Sequence, residues 1–367
     1  MTSRKILFIA PHRLDRAPNQ RFRFEQYLTF FEQQGYRCEI SNLLSEKDDR
    51  YFYLSGKWFR KIWILLKAAR KRMVDVKKIR RGEFSLVFII REAFFIGPPV
   101  FERKIAKTGV PIVFDFDDAI WVENVSENNR LFKKLKFFSK TSEIISLSTW
   151  VIAGNDYLAN YARQFNANVK IIPTTIDTSY HVPRGNHDEH YPVVIGWTGS
   201  KTTSVYLREI IEVLRNIKRR FGEKVEIYVI GDENFKDEQI EVVAVPWRRD
   251  TEIADLHRID IGIMPLPDNE WTRGKCGLKL LQYMALEIPA VASPVGVNTE
   301  IITHGENGFL AKTHEEWERY LSMLIEDSSL RSKLGRAGRK TVEERYSVTA
   351  WKGEYLELIS RLVNKNG

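Results

Sequence analysis

The chain has 367 residues, of which 43% are hydrophobic and 29% charged, a composition that is typical of globular proteins and excludes a largely disordered one. This length exceeds what one hydrophobic core usually supports, so we expect two domains. The two cysteines are too few for a disulfide framework, and the apolar start MTSRKILFIA is a first strand rather than a signal segment. We therefore expect a cytoplasmic protein, and no segment has the length and apolar character of a membrane span.

Positive charge is concentrated in the first half of the chain. Residues 1–180 carry 31 Lys and Arg against 19 Asp and Glu, whereas residues 181–367 carry 26 against 29. Most of the excess lies in residues 57–81, where cations alternate with large apolar side chains. Such a helix either contacts an anionic membrane peripherally or packs on the core with a solvated basic face. Nucleic acid is not an expected partner, because no recognised nucleic-acid module accompanies the charge.

Short apolar runs alternate with helical patterns through the first half. The runs that predict strands are KILFIA, CEISNL, FSLVFII, PIVFDFDD, TWVIAG and VKIIPTTI. The helical patterns lie at about 20–35, 57–81 and 100–108, with a further helix before TWVIAG. This alternation indicates βαβ units and a parallel sheet, with ligands at the carboxyl ends of the strands.

The same pattern restarts after the polar stretch 181–190. Predicted strands are YPVVIGWTGS, KVEIYVIGD, IEVVAVPW, DIGIMPL and AVAS, and helices are expected at about 204–221, at 251–257, from Cys276 and over 351–363. Two such sheets joined by a linker near residue 186 predict an α/β fold. Its domains would cover 1–185 and 191–345, followed by a C-terminal helix within 346–367.

Residues 271–296, WTRGKCGLKLLQYMALEIPAVASPVG, have the composition of a diphosphate site. Gly274 and Gly277 let backbone N–H groups approach a ligand, and the start of a helix adds the positive end of its dipole. Lys275 and Lys279, four residues apart, would share one face of the first turn. The alternative is a helix that merely carries solvated lysines.

A second candidate phosphate site is the turn GWTGSK. The N–H groups of Gly199 and Ser200 are candidates to bind a phosphate where the strand turns towards a helix, with Lys201 as a nearby cation. A tight turn without a ligand is the alternative.

Three carboxylates, Asp115, Asp117 and Asp118, follow the apolar run PIVF. Like charges this close raise one another's pKa, which is common at functional sites, although capping of the next helix is the alternative. In the loop after the first strand, Arg21 and Arg23 are candidates to contact a phosphate of the acceptor or donor, or else are solvated.

Residues 191–350 resemble the family-4 retaining glycosyltransferases. The motifs that carry the resemblance are PVVIGWTGS, VIGD, VPW, DIGIMPLP, the 271–296 segment, HGENGFLA and LGRAGRKTVEERYS, in that order. The resemblance implies a GT-B fold, with two Rossmann-like domains facing a cleft and a C-terminal helix crossing back to the N-terminal domain. It also implies that the C-terminal domain binds a nucleotide sugar, that the N-terminal domain binds the acceptor, and that no metal or other cofactor is needed.

The resemblance assigns roles to several donor-site residues. It places the Val245 backbone and the Trp247 ring at the nucleotide base and makes Gly277 the glycine of the family signature. Gly274 and Gln282 then occupy the positions of the two signature glutamates, so neither carboxylate is present. Gln282 can still hydrogen-bond a ribose hydroxyl.

The resemblance also aligns Asp117 and Asp118 with a His and an Asp that lie near the transferred sugar in the family. Asp115-Phe-Asp117 has the spacing of a metal-binding DXD motif too, but the second half of the chain favours the metal-independent fold. We therefore assign catalysis to Asp117, Asp118 and Lys279, with Lys275 and Lys279 holding the diphosphate.

The sequence thus predicts a hexosyltransferase-type enzyme that moves a sugar from a nucleotide sugar to a saccharide or lipid-linked acceptor, with retention. The setting would be cell-surface polysaccharide or lipopolysaccharide biosynthesis, in the cytoplasm or at the inner face of the membrane. The alternatives are a sugar-nucleotide 2-epimerase of the same fold and a non-catalytic nucleotide-sugar-binding protein.

Overall fold

Two six-stranded parallel β-sheets organise the chain in the computed structural model, which describes residues 4–52, 56, 58–123, 137, 139–185 and 191–364. The chain divides into an N-terminal unit, Met1–Thr174 with Trp351–Gly367, and a C-terminal unit, Thr175–Ala350. The boundary therefore falls earlier than the predicted one at residue 185. The predicted linker near residue 186 lies outside the described residues.

The sheet of the N-terminal unit has the strand order β2-β1-β3-β4-β5-β6. Its strands are β1 Lys5–Ala10, β2 Arg37–Asn42, β3 Leu86–Ile90, β4 Ile112–Phe116, β5 Trp150–Ala153 and β6 Val169–Ile171, and every pair is parallel. The central strands β3 and β4 are buried at every residue, as expected for a parallel sheet that is covered on both faces.

Helices connect these strands and cover the sheet. They are Pro18–Arg21, Leu28–Gln33, Glu46–Phe52, Trp58–Arg80, Val100–Ala106, Lys140–Leu147 and Asp156–Ala162, with a 3₁₀ turn at Glu25–Tyr27. The single helix predicted over 20–35 is therefore broken into three short pieces. Among the described residues, no helix is long and apolar enough to cross a membrane.

The final helix, Val348–Asn364, packs on the N-terminal unit along residues 351–364. The ring of Tyr355 lies 4.5 Å from that of Tyr27, and its hydroxyl donates a hydrogen bond of 3.2 Å to Asp115 Oδ2. The return of the C-terminal helix to the N-terminal domain is thus fixed by buried contacts between residues far apart in sequence.

The sheet of the C-terminal unit has the order β12-β11-β10-β7-β8-β9. Its strands are β7 Val193–Thr198, β8 Val225–Ile230, β9 Val243–Val245, β10 Ile261–Met264, β11 Ala290–Ala292 and β12 Phe309–Leu310. Its α-helices are Ile211–Phe221, Glu252–Leu256, Glu270–Arg273, Leu278–Ala285, Asn298–Ile301, His314–Glu326 and Ser328–Arg345, with 3₁₀ turns at Ser204–Ile210 and Gly222–Lys224. The first half of the predicted helix 204–221 is therefore 3₁₀.

Candidate functional site

The helix of the 271–296 segment begins at Leu278, with Gly277 as its N-cap, and not at Cys276 as predicted. Lys275 therefore lies in the preceding loop, where its Nζ is 4.7 Å from the centre of the Trp271 ring. The expectation that Lys275 and Lys279 share one face of the first turn is wrong, because Lys279 alone of the two is helical. The phosphate-binding character of this helix start consequently depends mainly on Lys279 and the backbone.

Gly277 is required at the helix start for two reasons. Its φ is +70°, in the left-handed region that L-residues rarely adopt. A Cβ at this position would lie 2.3 Å from Cδ1 of Ile301, closer than real contacts allow. The signature glycine therefore permits both the backbone turn and the close packing of the helix Asn298–Ile301.

Tyr283 fixes the helix Leu278–Ala285 on the sheet. Its ring covers Gly262 of β10, where a Cβ would lie 2.4 Å from the ring, and its hydroxyl accepts a hydrogen bond of 2.9 Å from the N–H of Thr198 at the end of β7. Burial raises the pKa of the Tyr283 hydroxyl, which stays protonated and able to donate. Lys279 lies one turn earlier on the same helix. The hydrogen bond between Tyr283 and Thr198 therefore also positions Lys279 near the carboxyl end of β7.

Lys279 lies against the GWTGSK turn. Its Nζ is 5.0 Å from the centre of the buried Trp197 ring, within the range of a cation–π contact. Its Cε would be 2.9 Å from a Cβ added to Gly199, so the absence of a side chain at Gly199 makes room for the lysine stem. The structure thus brings together two of the predicted donor-site segments, 196–201 and 275–282.

The two backbone N–H groups of the GWTGSK turn that were predicted to bind a phosphate have hydrogen-bond partners within the chain. The N–H of Gly199 donates to the carbonyl of Ile230 at 3.0 Å, and that of Ser200 donates to the Thr203 hydroxyl at 3.2 Å. Both amides that were expected to bind a phosphate are therefore engaged within the chain. Lys201 is exposed on the same turn, and its role stays a prediction.

Glu252 joins the other predicted donor-site residues. Its Oε1 accepts hydrogen bonds from the indole N–H of Trp247 at 3.1 Å and from the amide of Gln282 at 3.4 Å. Val245 ends β9 close by in sequence, but its carbonyl already accepts the N–H of Gly231 at 2.8 Å. The Trp247 ring and the Gln282 amide are thus neighbours, as a shared nucleotide site requires.

Glu252 is a site residue that the sequence reasoning missed. It is 4% exposed, and its second oxygen accepts a hydrogen bond of 3.3 Å from Tyr180, whose ring lies 4.2 Å from the Arg249 guanidinium. A carboxylate is therefore present beside Gln282, although the signature helix does not supply it. The available signal was a glutamate that follows the VPW motif at the start of a short helix.

In the N-terminal unit, Arg91 holds Asp117 and Asp118 at the ends of β3 and β4. Its Nη2 is 2.7 Å from Asp117 Oδ1 and also hydrogen-bonds Asp118. Burial opposes the charge on Arg91, but the two carboxylates outweigh it and raise the pKa of the guanidinium. Asp117 and Asp118 therefore lie together around one guanidinium. The repulsion between the two carboxylates is offset by Arg91, which the sequence reasoning did not assign to the site.

The backbone of Arg91 is strained. Its φ of +58° is left-handed, which costs a non-glycine residue about 1–3 kcal/mol. Its N–H donates to the carbonyl of Asp115 at 2.8 Å, which holds this conformation against β4. Strain of this kind often occurs where side chains must be oriented for function. The sequence signal for Arg91 was an arginine directly after the wholly apolar strand FSLVFII.

Asp115 is separate from that pair, because it lies within β4 and is fully buried. Arg23, 1% exposed, donates to both of its carboxylate oxygens at 2.9 and 3.0 Å and to the carbonyl of Ile172 at 2.6 Å. Burial raises the pKa of the Asp115 carboxyl, and Arg23 opposes that rise. This buried ion pair is a structural element of the core.

The loop arginines are accordingly corrected from acceptor-binding to structural residues. Arg23 is committed to Asp115, and Arg21 is 7% exposed, with its Nε 3.7 Å from Asp15 and its guanidinium 4.9 Å from the Phe22 ring. Neither is a solvated surface residue or an exposed phosphate ligand. Within the described part of the chain, no group of three or more His, Cys, Asp or Glu side chains is arranged to hold a metal ion.

Comparison with known proteins bears on the unit that carries Lys279 and Gln282. Residues 192–341 match the family described as glycosyl transferases group 1. The chain carries a glycosyl transferases group 1 domain. This domain contains the signature helix, the GWTGSK turn and Glu252, so the resemblance of these motifs to glycosyltransferases is confirmed at the level of the group 1 family.

Curated relatives are similar over shorter stretches. The chain is 42% identical over 90 residues to "Putative glycosyltransferase EpsD" of Bacillus subtilis (strain 168), covering 24% of this chain and 23% of the relative. It is 27% identical over 167 residues to "Capsular polysaccharide biosynthesis glycosyltransferase CapM" of Staphylococcus aureus, covering 42% of each. The chain therefore aligns with less than half the length of either relative. Both relatives are glycosyltransferases by name, and the similarity to them is confined to these stretches of 90 and 167 residues.

The fold is similar over almost the whole chain to a solved structure. The Anabaena protein Alr3699/HepE, solved in complex with UDP and glucose, superposes with a TM-score of 0.64 at 15% identity and covers 97% of this chain and 99% of its own. At this identity the likeness establishes the fold. The predicted GT-B architecture of two Rossmann-like domains is thereby confirmed.

Proposed function

We propose that this chain is a glycosyltransferase that binds a nucleotide sugar in its group 1 domain and transfers the sugar to a saccharide or lipid-linked acceptor. The central physical task is to stabilise a departing diphosphate next to a sugar that has become oxocarbenium-like. Fixed positive charge provides this stabilisation more effectively than water does, because it needs no reorganisation during the reaction.

The observation that carries the proposal is the position of Lys279. This lysine lies in the first turn of a helix whose N-cap is Gly277, so its charge adds to the positive end of the helix dipole. It also packs on Gly199 at the carboxyl end of β7, the part of a parallel sheet where ligands bind. We propose that Lys279 and Lys275 contact the diphosphate, with Lys201 as an additional cation.

The nucleoside would be bound by the cluster around Glu252. We propose that the Trp247 ring and the Val245 backbone contact the base and that Gln282 hydrogen-bonds a ribose hydroxyl. Glu252 holds the Gln282 amide nitrogen, which leaves the amide oxygen of Gln282 available as the acceptor for that hydroxyl. The structure of HepE with UDP and glucose makes uridine nucleotides the first to test.

On the acceptor side, we propose that Asp117 and Asp118 hydrogen-bond the transferred sugar or the attacking hydroxyl. Arg91 orients both carboxylates, which are partly exposed at 16% and 13% of their side-chain surface and so remain accessible to a hydroxyl. The transfer would proceed with retention and without a metal ion. The name of CapM supports a role in cell-surface polysaccharide synthesis, and we expect the enzyme in the cytoplasm, at the inner face of the membrane.

A donor panel tests this proposal directly. The full chain is titrated with UDP-, GDP-, ADP- and dTDP-sugars, and a rise in melting temperature identifies the donor, because a ligand that binds the folded state stabilises it. The preferred donor is then incubated with lipid-linked and free saccharides in the presence of EDTA, and the anomeric configuration of the product is read by NMR. Absence of any thermal shift across the panel contradicts the donor site.

Product analysis without an acceptor separates the alternatives. A 2-epimerase would release isomerised sugar or free nucleotide from the donor alone, whereas a transferase needs the acceptor. A non-catalytic binding protein would show the thermal shift with no turnover under either condition. This third outcome is worth testing because Gly274 and Gln282 stand where the family signature has glutamates.

A further inference from the structure

The helix Trp58–Arg80 presents a row of apolar side chains to solvent. This exposed apolar stripe consists of Phe59, Ile62, Trp63, Leu66, Met73 and Val74. The side chain of Phe59 is 92% exposed and that of Trp63 is 66% exposed. Spacings of three, four and seven residues put these positions on one side of the helix, where the exposed cations Arg70 and Lys77 also lie.

The opposite side of the same helix is fixed in the N-terminal unit. Arg72 is fully buried and donates to the backbone carbonyls of Ala93 at 2.7 Å and of Ala10 and Ser41 at 3.0 Å each. It also pairs with Asp75 at 2.7 Å. These bonds set the rotation of the helix about its axis, so the stripe cannot turn inward without breaking them.

The charges around the stripe are almost all positive. Residues 58–81 contain ten Lys and Arg and a single acidic residue, Asp75, which is buried against Arg72. The exposed cations of the helix and the residue after it are Lys67, Arg70, Lys77, Arg80 and Arg81. Six exposed large apolar side chains on one face of a helix indicate an interaction surface, and the exposed cations among and beside them would attract an anionic partner.

We propose that the helix Trp58–Arg80 docks on an anionic lipid bilayer. The apolar stripe enters the boundary between headgroups and acyl chains, and the exposed cations contact the lipid phosphates. Phe59 and Trp63 of the apolar stripe suit the interfacial layer of the bilayer, where aromatic rings accumulate. This docking is independent of the sugar-transfer proposal and would persist in a catalytically dead variant.

Vesicle binding of the full chain tests the proposal. We expect cosedimentation with phosphatidylcholine vesicles that contain phosphatidylglycerol and little with phosphatidylcholine alone. The double variant Phe59→Ser/Trp63→Ser should lower the apparent partition coefficient by about tenfold or more, since two large exposed apolar groups no longer enter the lipid. The matched control Phe165→Ser alters another exposed aromatic of the same unit, 39% exposed, and should bind as the parent does.

The depth of insertion is read by tryptophan fluorescence. Brominated lipid should quench part of the emission of the parent chain, and Trp63→Phe should remove much of that quenching while the chain remains bound. Quenching that is equal in the parent and in Trp63→Phe, like binding that is unchanged in the double serine variant, overturns the proposed orientation. Thermal unfolding of each variant confirms that it is folded.

The charge contribution is tested separately. Arg70→Glu/Lys77→Glu should weaken binding to the anionic vesicles and reduce its dependence on salt, whereas Lys340→Glu, an exposed lysine of the C-terminal unit, should not. Equal binding to anionic and neutral vesicles contradicts the role of these cations.

A second copy of the chain is the competing occupant of the stripe. Light scattering after size exclusion decides this point. A dimer of the parent chain that dissociates in Trp63→Ser overturns the lipid proposal and identifies the stripe as a protein interface. A monomer that binds anionic vesicles supports it.

Discussion

The two units have sheets of the same size and type, yet they hold their candidate site residues by different means. In the C-terminal unit, glycines permit close approach: Gly277 provides a left-handed turn and Gly199 makes room for Lys279. In the N-terminal unit, arginines position carboxylates, as Arg23 does for Asp115 and Arg91 for Asp117 and Asp118. One site is therefore shaped by the backbone and the other by charge pairs, which predicts different responses to substitution.

The largest effect is expected for the buried pair in the N-terminal unit. Asp115→Ala leaves Arg23 buried without its counterion and should lower the free energy of unfolding by about 3–5 kcal/mol. Glu143→Ala breaks the exposed pair with Arg103 in the same unit and should cost less than about 1 kcal/mol. Urea denaturation measures both, and equal losses would mean that burial of the Asp115 pair has no energetic consequence.

The next effect concerns catalysis in the C-terminal unit. Lys279→Ala removes a charge-assisted contact to the leaving group and should reduce turnover by about tenfold or more, with little change in stability. Lys333→Ala, on an exposed position of the helix Ser328–Arg345, is the matched control. Unchanged kinetics in Lys279→Ala would count against the diphosphate assignment, whatever the donor.

Gly277 gives a smaller effect that tests whether shape is the organising feature of the C-terminal site. Gly277→Ala should lower the free energy of unfolding by about 1–2 kcal/mol from the left-handed φ alone, and more from the clash with Ile301. Ile301→Val removes the clashing Cδ1. In the Gly277→Ala background it should restore the free energy of unfolding that is lost to the clash, but not the free energy that is lost to the left-handed φ. No recovery in the double variant would mean that Ile301 does not limit the space at Gly277.

The contrast also explains how much could be predicted from the sequence. Short runs of strand-forming residues predicted all six strands of the N-terminal sheet and the restart of the pattern in the second half. The signal was clearest for the central strands β3 and β4, because buried parallel strands are continuously apolar. The donor-site segments were recognisable because glycines and lysines close together in sequence form them. Their assembly by Tyr283 and Glu252 was not recognisable, since the contacts of Tyr283 and the contact of Glu252 with Gln282 join residues 20 to 85 positions apart.

The N-terminal unit shows more clearly which contacts could not be predicted from the sequence. Arg23 and Asp115 are 92 residues apart, so the sequence offered an arginine in a loop and a carboxylate in a strand with no sign that they pair. Both Arg21 and Arg23 were consequently assigned to ligand binding, although burial makes them structural. The short 3₁₀ and α pieces around Glu25–Tyr27 were also missed, because a helical period persists through a segment that tertiary packing breaks.

The smallest predicted effect is a pH dependence in the N-terminal unit. Burial, with Arg16 and Arg91 nearby, lowers the pKa of His12 from 6.5 to about 4, although Asp49 opposes the shift. Between these values the unfolded chain binds a proton that the folded chain does not. The contribution of neutral His12 to the free energy of unfolding is therefore fully present above pH 6.5 and is lost as the pH falls towards 4.

His12→Gln isolates this contribution. The substitution leaves in place the backbone hydrogen bonds between His12 and the Gln20 amide, at 2.8 and 2.9 Å, and removes the titrating ring. From pH 7 to about pH 5.5 the parent should lose about 1 kcal/mol more than the variant, because all other titrating groups cancel in the difference. Parallel curves would mean that His12 has the same proton affinity in the folded and unfolded chains.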